Sequence, residues 1–184
     1  MANFTKKAIK ESFIKLLNER PMNKISVKDI VEDCGINRNS FYYHFQDIPS
    51  LLEEIVTENT VKIIKKYPEI DSIDAAFHAA FSFAEENRRA AYHIYNSVNR
   101  DAFERELMKI CQSVVCAYVD NVFGETSVSK NDREIVLRFI KCEFFGLIID
   151  WLNSGMKDEA LDDLLRITEL CRGMSEELIK RSTK

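Results

Sequence analysis

Glycine and proline are scarce in this chain, five and three among 184 residues. There are thus few places where a helix is forced to stop or the backbone is freed into a left-handed turn. No stretch alternates apolar and polar residues with the period of a strand, which leaves helices as the expected building material. Apolar runs such as Phe144 to Ile149 are far shorter than the roughly 20 residues that cross a bilayer. Lys6, Lys7 and Lys10 are followed by neither an apolar core nor a small-residue cleavage site, so no secretory leader is expected. Five cysteines, an odd number with no CxxC pair, point to reduced thiols and a cytoplasmic location. Cys34, Cys111 and Cys142 lie on or beside apolar stripes and are expected to pack as small hydrophobes.

Catalytic machinery is also missing. The three histidines, His44, His78 and His93, are not spaced with cysteines or acids as a metal set. The chain has no glycine-rich phosphate loop, no HExxH and no serine in a nucleophile elbow. No enzyme, cofactor, metal ligand or catalytic residue is expected.

What the chain does have is apolar content, 46% of its residues, enough for a substantial core built as a small unit plus a larger one. Its net charge is −4, unevenly spread. Residues 1 to 47 hold eight Lys or Arg against six Asp or Glu, and the remainder is acidic. A mildly basic head on an acidic body suits local neutralisation of phosphates without indiscriminate attraction to nucleic acid.

Within that head, Ser26 precedes Val27, Ile30, Val31 and Cys34, spaced i, i+3, i+4, i+7 as the buried stripe of a short helix that Ser26 can cap. Gly35 supplies a turn, and a second helix opens near Asn37 with Phe41 and Phe45 one turn apart and facing inward. Arg38, Asn39, Ser40, Tyr42, Tyr43 and His44 are left on the outer face. Two short helices around a tight turn, the second with a polar and aromatic outer face, is the layout of a DNA-reading helix-turn-helix.

The run Phe41-Tyr42-Tyr43-His44-Phe45, preceded by Ile36-Asn37-Arg38 and a glycine turn, resembles the signature of the TetR family of bacterial regulators. The resemblance covers about the first fifty residues, and the order of features agrees: an amphipathic first helix, a break at Pro21, the two reader helices, then Asp47 through Leu52 leading into a long fourth helix. It implies an all-α protein of about nine helices, with a DNA-binding domain at 1–48 and an effector-binding and dimerisation domain at 49–184. It also implies a homodimeric repressor on a palindromic operator in double-stranded DNA, released by a small molecule. Arg38, Asn39 and Ser40 are expected to read bases. Tyr42, Tyr43 and His44 are expected to hold phosphates, helped by Ser26, Lys28 and Lys6. Two departures bear on DNA contact. Ile48-Pro49 stands where many members have a lysine able to reach a phosphate, and Asn39 and Ser40 stand where a small glycine or proline and a threonine are common. A different sequence preference is expected.

Downstream, helical spacing predicts segments from Ser50 to Tyr67, Asp74 to Glu86, Arg89 to Ser97 and Asp101 to Phe123. An eighth, capped by Asp132 and ended by Gly155, and a last from Asp158 through Leu178 follow. The eighth is apolar around nearly its whole circumference, so two of its faces must be covered. One is expected to meet its own core, the other a second copy of the chain through Phe145, Ile148, Ile149, Trp151 and Leu152, joined by Leu164 and Cys171 of the last helix, with Gly146 permitting close approach. Phe77, Phe81, Tyr92, Tyr118 and Phe144 read either as core or as the lining of an effector pocket, with His78, His93 and Glu143 as polar groups. Glu143 fits equally a salt-bridged position at the dimer rim. The alternative function is an interaction protein of the same form that acts through a protein partner.

Overall fold

The computed structural model describes residues 2–66, 72–123 and 129–171, together with Gly173, Met174, Glu177, Leu178 and Arg181. Among them are nine α-helices and no strand: α1 Ala2–Glu19, α2 Val27–Asp33, α3 Arg38–His44, α4 Ile48–Lys66, α5 Ile73–Glu86, α6 Arg88–Tyr95, α7 Arg100–Phe123, α8 Lys130–Asn153 and α9 Asp158–Leu170. One 3₁₀ turn, Met22–Lys24, joins α1 to α2. Tyr67 and Pro68, expected to close the fourth helix, and the loop 124–128 lie outside the described residues. No described helix is long and apolar enough to cross a membrane.

The chain forms two compact units. One contains Met1–Asn59 and Ala84–Glu106, the other Thr60–Phe83 and Leu107–Lys184. The single boundary expected after residue 48 leaves α6 out of the first unit, whereas α6 lies with the reader because the ends of two helices complete each other there. The Asn18 side-chain oxygen, near the end of α1, accepts the free N–H of Ala90 in the first turn of α6 at 3.3 Å. In return the His93 Nδ1 of α6 meets the free carbonyl of Leu17 at 2.6 Å. Helix ends leave such groups without intrahelical partners, so each bond removes the cost of an orphan. Nothing in local spacing pairs residues more than seventy positions apart.

The core of the first unit is built from the stripes the sequence shows: Ile9, Phe13 and Leu17 of α1, Ile30 and Val31 of α2, Phe41 and Phe45 at α3, and Leu51, Leu52 and Ile55 of α4. Each buried side chain of this size contributes about 1.5–3 kcal/mol. Ser12, also buried, donates its hydroxyl to the carbonyl of Ile30 at 3.2 Å and pins α1 to α2. Helix α4 starts two residues earlier than expected. Asp47 and Ser50 cap each other's backbone N–H at 2.8 and 3.1 Å, and Pro49 sits inside that first turn, where its missing N–H costs nothing.

In the second unit, α7 buries Leu107, Ile110, Cys111, Val114, Val115 and Tyr118. Burial pushes the Cys111 thiol up to about 12, so it stays protonated and packs as a hydrophobe. Cys142, expected to be buried, is exposed. Helix α8 is capped by Ser129, whose hydroxyl accepts the N–H of Asp132 at 3.1 Å; Asp132, expected as the cap, is the third residue of the helix. Its far end closes on Gly155, φ +80°, with the Met156 N–H reaching back to the Trp151 carbonyl at 2.9 Å. Helix α9 ends at Leu170; Leu178, expected on it, is again helical beyond the turn at Gly173, φ +88°.

Candidate nucleic-acid interface

Helix α2 is fixed at its start by reciprocal caps. The Ser26 oxygen accepts the Asp29 N–H at 3.3 Å, and the Ser26 N–H and hydroxyl donate to the Asp29 carboxylate at 2.8 and 2.7 Å. Those bonds hold the Asp29 carboxyl below its ordinary value. The turn follows from Gly35, whose φ of +68° lies in the left-handed region, and the Ile36 N–H reaches back to the Val31 carbonyl at 2.9 Å. Asn37 then caps α3, its side-chain oxygen accepting the Ser40 N–H at 2.8 Å and the Ser40 hydroxyl at 3.1 Å. With Phe41 and Phe45 both buried, the orientation of this two-turn helix is set.

Its outer face is presented as the spacing implied. Arg38 and Asn39 are exposed, Ser40 and His44 half-buried, and Tyr42 and Tyr43 have 56% and 81% of their surface open. The rings are not loose. Tyr42 meets Phe41 edge-on at 5.5 Å, and Tyr43 meets His44 at 5.0 Å and 85°. Arg38 makes no ion pair among the described residues, and the first turn of α3 has no acid to offset it or the helix's own positive end. Lys24, in the 3₁₀ turn before Ser26, is another exposed cation with no ion pair among the described residues.

Lys6 is placed differently from the expectation. Its ammonium is 2.7 Å from Glu54 and lies over the Phe45 ring at 5.4 Å. Lys10 also pairs with Glu54 and, at 2.7 Å, with Glu58. Burial works against the Lys10 charge, but its hydrogen bonds to Glu54 and Glu58 outweigh that and raise its pKa. Burial likewise acts to raise Glu54, and the hydrogen bonds from Lys10 and Lys6 outweigh it, leaving the carboxyl below its ordinary value. This network ties α1 to α4 behind the reader. Sequence alone could not reveal it, since the partners are more than forty residues apart. Lys28 is exposed, with Glu32 3.7 Å away, a weak surface pair.

The residues expected to line an effector pocket are shared between the two units. Phe77 and Phe81 stack at 5.8 Å, Phe144 meets Phe77 edge-on at 5.5 Å, and Trp151 joins Phe81 at 4.3 Å, with Tyr118 buried in the same unit. His78 is exposed instead. Tyr92 and His93 belong to the first unit, Tyr92 exposed and His93 bonded to Leu17. Glu143 is half-buried. Burial raises its pKa, partly opposed by the Cys171 thiol 3.9 Å away.

The dimer face also needs correction. Ile148, Trp151, Leu152 and Leu164 are buried in their own subunit, and the Trp151 indole N–H donates to the Lys157 carbonyl at 3.1 Å, so they have almost no surface to give a partner. Phe145, Ile149 and Cys171 keep part of their surface open. The apolar surface that α8 exposes runs through Ile135 and Phe139, 55% and 52% open, past Cys142 to Gly146, where an added Cβ would meet nothing within 4 Å. Leu170 and Met174 are exposed beyond it in sequence. Among the described residues no group of three or more His, Cys, Asp or Glu is placed to hold a metal ion.

Two family models match the chain. The family model described as bacterial regulatory proteins, tetR family, matches residues 14–55. That described as a transcriptional regulator C-terminal region matches residues 71–173. The chain is 23% identical over 155 residues to the uncharacterized HTH-type transcriptional regulator YxbF of Bacillus subtilis (strain 168), an alignment covering 79% of this chain and 39% of that protein. It therefore spans well under half the length of that relative. In structure it is similar to the dihydroxyacetone kinase operon activator DhaS, with a TM-score of 0.70, 17% identity, and coverage of 90% of this chain and 97% of the other. At that identity the likeness concerns the fold.

Proposed function

We propose that this chain, which belongs to the TetR family of bacterial regulatory proteins and is a transcriptional regulator with a DNA-binding amino-terminal domain, acts as a homodimeric repressor that a small molecule releases from a palindromic operator. The observation that carries the reading is the division of α3 into two faces: Phe41 and Phe45 sealed in the core, Arg38, Asn39, Tyr42 and Tyr43 open to solvent. Arg38, Asn39 and Ser40, at the start of the helix, enter the major groove and read base edges. Tyr42, Tyr43 and His44 hold phosphates, with Lys24, Lys28 and Ser26 alongside. Lys6 acts through Glu54 and Phe45 by bracing the reader.

Dimerisation uses the face of α8 that includes Ile135, Phe139, Cys142, Gly146 and Ile149, with Phe145 and, from α9 onward, Leu170, Cys171 and Met174. The stripe is offset by two residues, about 200° around the helix, from Leu137, Ile140, Phe144, Ile148 and Trp151. It therefore looks away from its own core. The effector is small and largely apolar or aromatic, and binds in the second unit near Phe77, Phe81, Tyr118 and Phe144, with Glu143 as a polar group. Coupling of about 1–3 kcal/mol between effector and DNA would loosen the operator about 5- to 150-fold.

Selection of bound sites from a random DNA pool tests the reading. Enrichment of a palindrome with half-sites one helical turn, roughly 34–36 Å, or a multiple apart is expected. A second reading, action through a protein partner, draws on Ile48-Pro49 and on Lys6 being engaged by Glu54, which remove two cations from phosphate contact. No enriched site, with a partner protein recovered by affinity capture, would favour it.

A further inference from the structure

A cleft of about 290 Å³ opens within the first unit, between the 3₁₀ turn, the head of α4 and the corner where α6 gives way to α7. It is separate from the aromatic cluster of the second unit, and no residue of the outer face of α3 lines it. Its lining includes the apolar Met22, Ile48 and Pro49. It also includes the polar Asn23, His93 and Asn99. No lysine, arginine, aspartate or glutamate lines it, in a chain of which 30% is charged.

The polar groups keep bonding capacity in hand. A carbonyl only accepts, so the 2.6 Å contact of His93 Nδ1 with the Leu17 oxygen puts a proton on Nδ1 and leaves Nε2 free of that bond. Asn99 donates from its amide nitrogen to the Met22 sulfur at 3.5 Å, a weak acceptor, and its side-chain oxygen stays available. Asn23 makes no hydrogen bond from its side chain among the described residues. A charged guest would lose hydration with no opposite charge to meet it. A neutral guest with a donor–acceptor edge would satisfy the asparagines and His93 while its apolar side covered Ile48, Pro49 and Met22. At about 290 Å³ the cleft is near the lower end of the roughly 300–1,000 Å³ typical of small-molecule sites.

We propose that this cleft is a binding site for a small neutral molecule with an amide or equivalent donor–acceptor edge on one side and an apolar ring on the other. The site has regulatory reach because of where its walls stand in the chain. Asn23 is three residues ahead of Ser26, the cap of α2, and Ile48 three beyond Phe45, where α3 ends. An occupant would touch residues just before and just after the helix-turn-helix.

The test uses benzamide as probe, with benzoate and benzylammonium as its anionic and cationic counterparts, on the full chain at pH 7. Saturable ¹H–¹⁵N shifts are expected at Asn23, Ser97 and Asn99 with benzamide, and affinities at least about tenfold weaker for both ions. Asn23→Trp should abolish the shifts by filling the cleft. Val98→Trp, at a lining residue 98% exposed and outside the core, is a second blocking variant that spares the fold. Absence of saturable shifts, equal binding of all three probes, or shifts surviving both substitutions would overturn the proposal. Operator binding does not enter this readout, so failure of the DNA-binding reading would leave the result standing.

Discussion

Asn37→Ala separates a residue that shapes the reader from residues that read. In the structure Asn37 is the cap of α3, accepting the Ser40 N–H at 2.8 Å and the Ser40 hydroxyl at 3.1 Å. Its removal leaves an N–H at the start of a seven-residue helix without its partner, a loss of about 1 kcal/mol with a range of 0.5–2. If that cap supplies the bias holding the first turn together, the wound fraction of Arg38, Asn39 and Ser40 falls from about 0.85 to about 0.5, because 1 kcal/mol is a factor of about five. Apparent affinity scales with the competent fraction, so the two readers of the proposed dimer would lose about threefold. Thermal unfolding of the full chain should drop by a few degrees. Asn37→Ser, which keeps a capping oxygen, should restore both quantities. Fluorescence anisotropy on the selected operator, paired with calorimetry, gives the two numbers. An unchanged melting temperature with operator affinity lost a hundredfold would refute the reasoning, since Asn37 would then be a DNA contact.

Tyr42→Phe and His44→Ala should each weaken binding to specific and unrelated DNA alike, while Asn39→Ala should cost about 1–3 kcal/mol on the selected site and relax its sequence preference; unaltered affinity in both phosphate-contact variants, measured by anisotropy, would remove α3 from the interface. Phe139→Glu should weaken dimerisation by about 2 kcal/mol or more, read by sedimentation, and an intact dimer in that variant would redirect the contact away from this face of α8. Burial raises the Glu143 pKa, so its contribution to stability is fully present below the ordinary value near 4.5 and is lost as pH rises through the folded value. Glu143→Gln should therefore raise the melting temperature at pH 7 and lose that advantage below about pH 4.5, and a lower melting temperature at pH 7 would mean that the carboxylate is paired.

What could be read from the chain was what depends on neighbours a few residues away. The Ser26 cap, the Gly35 turn, the inward pair Phe41 and Phe45 and the exposure of Arg38, Asn39, Tyr42 and Tyr43 all follow from spacing over one or two turns, and the structure reproduces each. What could not be read rests on distant pairs. Lys6 looks like a free cation at the start of a basic head, and only the arrival of Glu54 from α4 removes it from the supply. His93 looks like a polar group for an effector pocket, but the end of α1 supplies a free carbonyl that claims its Nδ1.

Helix α8 shows a different limit, one of phase. A helix apolar all round announces that two faces are covered, and composition alone does not say which residues belong to which partner. The structure fixes the phase through a single anchor. Trp151 is 1% exposed, tilted against Phe81 and bonded through its indole N–H to the Lys157 carbonyl. With Trp151 turned inward, Ile148, Phe144, Ile140 and Leu137 at steps of three and four must follow it. Ile135, Phe139, Cys142 and Gly146 must then face away. Trp151, the largest side chain on the helix and one of the residues expected at a dimer contact, is the residue whose burial turns the opposite face of α8 outward.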